Sequence, residues 1–310
     1  MNDMRSVYVP SAVSSFFTFE GVGADGSYSQ PLEKVGARGG GFKLVKGTHT
    51  TVEKISFPSD EIFFDGRPIA NSTTQVVLDI VRRRTGSKQR FRVSHRVEVP
   101  IGAGFGSSAS ASLGASTAAL VELGQKSTLR LAADIAHEAE LVCHTGLGTV
   151  GAIYSSSGVG GLIVQGGGPG ICRVEGFMED FERYSLIAVT FASRQKRSLL
   201  TSPEVVAKVN RAGVETLEKV AADPSSIRML RESRKFALDT GLGSKDADKA
   251  CTLLEEAGAI AAAHNMIGQA VHCLAWRDDA RHITHRVAEA YPSARLTVSK
   301  LTESSVHLMD

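Results

Sequence analysis

Pro100-Ile-Gly-Ala-Gly-Phe-Gly-Ser-Ser-Ala109 is the stretch on which the reading of this chain turns. Three alternating glycines, Gly102, Gly104 and Gly106, separate a strand-like segment, Arg92–Val99, from a run of small helix-compatible residues, Ser107–Leu123. Without a Cβ, backbone there can approach a ligand closely. The helix that follows turns its unpaired N–H groups and its positive dipole end back toward the loop. Such an arrangement holds phosphate oxygens. Ser107 and Ser108 stand where loop becomes helix, placed to bind a phosphate or its magnesium.

Three kinds of phosphate loop compete for this stretch. A Walker A loop needs G-x-x-x-x-G-K-[ST], which the chain does not contain. A dinucleotide fingerprint needs G-x-G-x-x-G and an acidic residue about 20 positions on. Here the spacing is G-x-G-x-G, and that position falls at Glu122, inside the expected helix. The third reading fits best. The stretch resembles the Pro-x-x-x-Gly-Leu-Gly-Ser-Ser-Ala motif of the GHMP kinases through Pro100, Gly104, Gly106, Ser107, Ser108 and Ala109, with Phe105 in place of Leu.

Around this loop the sequence divides into two halves. Ser6–Phe19 and Lys43–Phe57 carry strand patterns. Between them come a polar loop, Gly21–Pro31, and the glycine-rich Gly36-Ala-Arg-Gly-Gly-Gly41. A helix is expected over Asn71–Arg84 and another from Thr128 to about His144, with Ser127 as its N-cap and Thr145-Gly-Leu-Gly148 ending it. A strand at Leu162–Val164 precedes a turn at Gly168-Pro-Gly170. The second half then reads as one strand, Tyr184–Phe191, three or four helices, and two short closing strands, Ala294–Lys300 and Ser304–Met309, joined by a tight turn. A boundary near 175–185 follows, giving domains over 1–178 and 179–310.

Composition narrows the function. Apolar residues make up 42% of the chain, and 35 basic against 33 acidic residues leave a net charge of +2. That balance carries no electrostatic footprint for nucleic acid, and the run Arg82-Arg-Arg84 with Lys88 and Arg90 reads as a solvated helix end. No apolar run reaches membrane-spanning length, and no signal peptide is visible, so a cytoplasmic protein is expected. Cys143, Cys172, Cys251 and Cys273 lack C-x-x-C spacing and read as free thiols. His282-x-x-His285 reads as a surface helix rather than a metal pair.

A carboxylate for magnesium is sought on the helix near residue 140. At roughly 100° per residue, Arg130, Asp134 and His137 share a polar face bordered by Glu138. Glu140 falls among the apolar Leu129, Ala133 and Ala136. A carboxylate there is costly unless it is paired with a cation or a metal. Glu138 therefore reads as the surface partner and Glu140 as the candidate ligand, with a salt bridge to an arginine as the alternative. His137, a helix neighbour of Glu140, is either solvated or directed to the same cleft.

The resemblance to GHMP kinases sharpens toward their archaeal pantoate kinase branch. It rests on Val9-Pro-Ser-Ala-Val-Ser-Ser-Phe-Phe17, Gly36–Gly41, Ala136-His-Glu-Ala-Glu140, Thr145–Gly148, Gly160-Gly161, Gly168–Gly170 and, less sharply, Asn265-Met-Ile-Gly-Gln-Ala-Val-His272. It implies an α+β, two-lobed GHMP kinase fold: a ribosomal protein S5 domain 2-like, ATP-binding N-terminal domain and an α+β C-terminal domain. It implies ATP and Mg2+ as cofactors and phosphorylation of (R)-pantoate to 4-phosphopantoate in coenzyme A synthesis. It also suggests a homodimer.

By position the resemblance makes Glu140, Ser108 and Thr149 the catalytic candidates, with Ser108 and Glu140 as metal ligands. Pro100, Gly102, Gly104, Gly106, Ser107, Ser108 and Ala109 would bind ATP, and Arg38, His137 and Gln165 the acceptor. Arg38 offers a bidentate fork to a carboxylate; Ser14 and Ser15 enter the N-terminal motif unranked. Two positions depart from the pattern. Thr149 replaces an aspartate base, and Gln165 stands where an arginine is expected. These leave two alternatives: a GHMP kinase for another small alcohol, of homoserine or mevalonate type, or a ligand-sensing relative with weakened turnover.

Overall fold

The computed structural model describes residues 6–23, 25–70, 72–155, 158–191 and 202–309. Lys196 and Arg197, which the sequence leaves open between phosphate contact and solvent, lie outside the described residues. In chain order the first half runs β1 (Ser6–Phe17), β2 (Gly39–Ile55), β3 (Glu61–Phe64), β4 (Arg67–Pro68), α1 (Thr73–Thr85), β5 (Arg90–Val97), α2 (Ser107–Glu122), α3 (Leu129–Val142), α4 (Thr149–Tyr154), β6 (Gly160–Gln165) and β7 (Arg173–Gly176). The second half runs β8 (Tyr184–Thr190), α5 (Pro203–Ala222), α6 (Ser226–Thr240), α7 (Lys245–Glu256), β9 (Ala261–His264), β10 (Ala270–Trp276), α8 (Ala280–Ala290), β11 (Arg295–Ser299) and β12 (His307–Met309).

Two sheets organise the molecule. The first has the order β12-β1-β2-β5-β3-β4, with β6 and β7 branching from β2. The second has the order β11-β8-β10-β9. All pairs are antiparallel except β3 with β5. The long β2 serves two neighbours on one edge: Thr48–Ile55 pair with β5, and Gly39–Phe42 with β6. The glycines expected as loop are thus strand, and β2 begins at Gly39 rather than Lys43. A Cβ on Gly40 would meet Met229, Phe16 and Leu162, so side chains from both lobes fill the space its missing side chain leaves.

The sheet changes between Gly176 and Tyr184. The closing strands correct another expectation. They form no hairpin: β11 pairs with β8 in the second sheet, whereas β12 returns to β1 in the first. One hydrophobic core runs through both halves, joining Phe16, Phe42 and Phe105 to Met229, Phe236 and Leu274. The lobes are therefore packed as one body around the back of β1.

Helix α2 occupies the centre of the first half. Its residues Ser107–Leu120 are buried except Ser108. Serine, alanine and glycine on every side let α1, α3 and the sheet close around it, as expected of a helix with no solvent face. α3 starts one residue later than expected: its N-cap is Thr128, not Ser127, and it ends at Val142, with His144 in the left-handed region (φ 52°). His282 and His285 lie on the exposed side of α8, and none of the four cysteines is in a disulfide. Among the described residues no helix is long and apolar enough to cross a membrane.

Candidate active site

The loop between β5 and α2 is built by alternation. Gly102, Gly104 and Gly106 all have left-handed φ (76°, 79° and 61°), a region that favours glycine. The residues between them, Ala103 and Phe105, are buried. The Phe105 ring fills the shared core where the motif usually has Leu, and its carbonyl accepts from Ala12 N–H at 3.1 Å. The glycine backbone therefore faces outward over a fixed apolar underside. Pro100 and Ala109 are buried at its two ends, and Ser107 opens α2.

Glu140 reaches this loop from α3. It is 2% exposed. Its carboxylate accepts from the Ser108 hydroxyl and from Thr145 Oγ1 at 2.7 Å. It has no ion-pair partner among the described residues. Burial pushes its carboxyl above the ordinary glutamate range, and the Ser108 and Thr145 hydroxyls pull the other way. The alternative of an arginine salt bridge finds no support among those residues. Glu138, two positions earlier, is instead bracketed by Arg83 and Arg84 from α1. A buried carboxylate beside a hydroxyl and an anion-type loop, with no cation of its own, suits a hard divalent cation.

Thr149 begins α4 directly behind the loop, and its methyl occupies the place a side chain on Gly106 would take. A second wall continues from it. Gly148 packs on Ala37 and Ile163, and beyond them an open cleft of about 600 Å³ is lined by Glu20, Lys34, Arg38, Gln165 and Ile171, among others. Arg38 and Gln165 thus share one cleft. Arg38 Nε donates to Glu20 Oε1 at 2.6 Å, with both side chains about one-third exposed, so the guanidinium is held at the cleft but not buried. Lys34 projects into the same space without having been singled out in the sequence; its signal was only a charge near a glycine-rich turn.

His137 is placed differently. It is buried, with Nε2 3.0 Å from Val35 O and 3.3 Å from Leu32 O. As both partners are carbonyls, Nε2 carries the proton. Burial lowers the ring's pKa, against the pull of these carbonyls, so it is a neutral prop. The ring also lies against Gly168, and so supports the two turns that wall the cleft rather than opening into it.

The loop preceding β10 closes over the phosphate loop from the other side. Asn265 Nδ2 donates to Ala103 O at 3.1 Å. Asn265, His272, Ser15 and Thr145 were legible only as a blurred motif, an unranked serine and a helix stop. Among the described residues one further group of metal-ligand types meets, Asp248, Cys251 and His264. Asp248 Oδ1 already receives Arg234 Nε at 2.6 Å, and burial pushes the Cys251 thiol up to about 12. That group is an ion-pair cluster beside a protonated thiol.

Comparison with known proteins adds to this geometry. Residues 71–156 match the family model of the GHMP kinases N terminal domain. A pantoate kinase of Thermococcus kodakarensis is 28% identical over 240 residues, which cover 76% of this chain and 75% of that protein. A pantoate kinase of Methanocaldococcus jannaschii is 23% identical, with 88% of this chain and 93% of that protein covered. Among solved structures, a phosphotransferase related to the CoA biosynthesis pathway superposes with a TM-score of 0.82 at 22% identity, covering 99% of this chain and 98% of that one. The chain has the GHMP kinase fold.

Proposed function

We propose that this chain, which has the GHMP kinase fold, is an ATP-dependent pantoate kinase that phosphorylates (R)-pantoate to 4-phosphopantoate in coenzyme A synthesis. The observation that carries the reaction class is Glu140: a buried carboxylate with no ion-pair partner among the described residues, joined through Ser108 to a glycine loop at a helix start. The curated relatives named pantoate kinase, similar over three-quarters or more of the chain, support the acceptor.

The residues present fit MgATP. Backbone N–H groups from Gly104 to Ser108 would hold the polyphosphate, with Pro100, Gly102, Ser107 and Ala109 shaping the loop. Ser108 and Glu140 would hold magnesium, which when bound neutralises charge on the transferring phosphoryl group. Glu140 must be ionised to do this, and a neighbouring divalent charge favours the ionised form against the upward push of burial. Arg38 and Lys34 supply positive charge for the pantoate carboxylate, with Gln165 offering an amide beside them. His137 keeps the cleft wall in place. Thr149 presents a hydroxyl between cleft and loop, able to orient the acceptor alcohol but not to take its proton as a carboxylate would. Phosphoryl transfer rests chiefly on positioning and charge neutralisation, so the chemistry tolerates this residue.

ADP release measured with MgATP against a panel of pantoate, homoserine and mevalonate tests the reading. Pantoate should give the highest kcat/KM. A folded, ATP-binding protein with no pantoate-dependent turnover would refute it. Thr149 and Gln165 keep a second reading in view, a related kinase for another small alcohol; a different acceptor winning the panel would establish it.

A further inference from the structure

Two segments remote in sequence meet behind the phosphate loop: β1, and the loop 265–268 with the β10 strand it leads into. Asn265 Nδ2 lies 3.1 Å from Ala103 O. Asn265 Oδ1 lies 2.7 Å from His272 Nδ1. His272 Nε2 lies 2.9 Å from Ser15 Oγ. All of these residues are buried, with His272 and Ser15 at 0% exposure.

Chemistry leaves one way to place the protons. A carbonyl only accepts, so the amide nitrogen of Asn265 faces Ala103. Its amide oxygen then faces His272 and must accept, which puts the ring proton on Nδ1. Nε2 is left as an acceptor for the Ser15 hydroxyl. Burial lowers the His272 pKa to about 3, in keeping with this neutral form. Each side-chain polar atom of this relay then has a partner of the right kind.

The chain ends on a consequential atom. A peptide unit is planar and here trans. Fixing the Ala103 carbonyl therefore fixes the Gly104 N–H, which points the opposite way. Gly104 has φ 79°, and glycine gives that peptide little resistance to rotation. From the other face Gly268 packs on the same peptide so closely that a side chain there would collide with Ala103. Met266 N–H donates to Ser14 O at 2.8 Å, tying the covering loop to β1.

We infer that Asn265, His272 and Ser15 form a neutral proton-ordered relay that sets the direction of the Ala103–Gly104 peptide, making them positioning residues for nucleotide binding. The inference rests on the reading that this loop holds ATP phosphates.

Asn265→Asp tests it with little change of shape. An ionised carboxylate only accepts and is repelled by Ala103 O. A protonated one donates to Ala103 and accepts from His272, as the amide does. Burial raises the carboxyl pKa, so the donor returns as pH falls. The titratable groups facing this position are His272 and, acting on it, His264, which lies 3.7 Å from Asp248. Burial lowers the pKa of both histidines. At these contacts β1 and the phosphate loop present Ser14, Ser15, Ala103 and Gly104.

The dissociation constant for a nonhydrolysable MgATP analogue is measured at pH 8.5 and pH 6 for wild type and variant. The variant should bind about tenfold more weakly at pH 8.5, the scale of one lost hydrogen bond, and approach wild type at pH 6. Its KM for pantoate should stay near the wild-type value. Binding within twofold of wild type at both pH values overturns the relay, as does a loss equal at both, which marks a merely structural residue. Independently of any variant, long-range proton–nitrogen spectra of the wild type should show His272 protonated at Nδ1; the Nε2–H tautomer overturns the inference. A wild type that binds no nucleotide refutes the functional reading as well.

Discussion

The phosphate loop and the acceptor cleft lie side by side and are built on opposite plans. At the loop, Ala103, Phe105, Ser107, Glu140 and Asn265 are buried, and the polar groups of the last two are hydrogen-bonded. At the cleft, Lys34 and Gln165 are exposed, and Arg38 leans on Glu20 in partial solvent. The difference follows from the ligands. A polyphosphate with its metal is highly charged, and fixed donors in a dry setting bind it without reorganising. A small hydroxy acid needs charge at one end and room at the other, which a few long side chains supply. The loop should therefore fail abruptly on substitution, and the cleft by degrees.

The sharpest break is expected at Glu140. Glu140→Gln keeps the shape and the hydrogen bonds from Ser108 and Thr145 but removes the charge. Turnover should fall by on the order of 10²–10³ at saturating pantoate, with the melting temperature little changed. Steady-state kinetics with varied Mg2+ would read this. Retention of most activity would move the metal site elsewhere.

Histidines buried as neutral rings should also contribute to stability against acid. His95, wedged between Thr50 and Thr74, and His272 are both held near pKa 3 by burial. Their folded pKa values lie below the unfolded value of about 6.5, so the unfolded chain binds more protons. The stability they contribute is present above pH 6.5 and is lost as pH falls toward 3. Between pH 6 and pH 5 the two together should cost about 2–3 kcal/mol per pH unit. Urea unfolding at the two pH values would measure the slope, and His95→Gln should lower it by about 1 kcal/mol per pH unit. A flat profile would mean that these rings are not buried as neutral groups.

At the cleft the effects should be smaller and confined to the acceptor. Arg38→Ala removes a charged hydrogen bond worth about 1.5–3 kcal/mol. The pantoate KM should rise about 10- to 100-fold, with the ATP KM within twofold. Equal effects on both substrates would blur the division between the regions.

The same contrast governs what the sequence discloses. The loop was legible because its glycines, serines and following helix are local and the chemistry needs that spacing. Glu140 was legible because a carboxylate among alanines contradicts its own helix face. The cleft was legible only in part: the resemblance pointed to Arg38 and Gln165, whereas Lys34 and Glu20 come from separate segments that only tertiary folding brings beside them. His137 shared a polar face in projection, yet folding buries it under Leu32 and Val35. In the second half, the sequence reads only helices between Phe191 and Ala294, yet Ala261–His264 and Ala270–Trp276 are strands, β10 pairing with both β8 and β9. The closing strands look like a hairpin because their separation is short; what divides them is that each finds a buried edge in a different sheet.

Thr149 sits where the two regions join and should show the mildest response. Its hydroxyl would make one neutral hydrogen bond, so Thr149→Ala should lower kcat by about two- to tenfold and leave both KM values near wild type. Thr149→Asp asks a further question. A carboxylate at that position adds a base for the acceptor alcohol but also sets negative charge beside the phosphates. If positioning alone carries the rate, the added charge should leave kcat at or below wild type. If proton removal limits the step, kcat should rise, and its pH profile should gain a limb that falls as the new carboxyl is protonated. Measuring kcat from pH 5 to 9 for the three forms separates these cases. A rise with the new limb would show that Thr149 holds the rate below what this fold can reach, whereas a fall in both variants would assign Thr149 to the positioning of the acceptor.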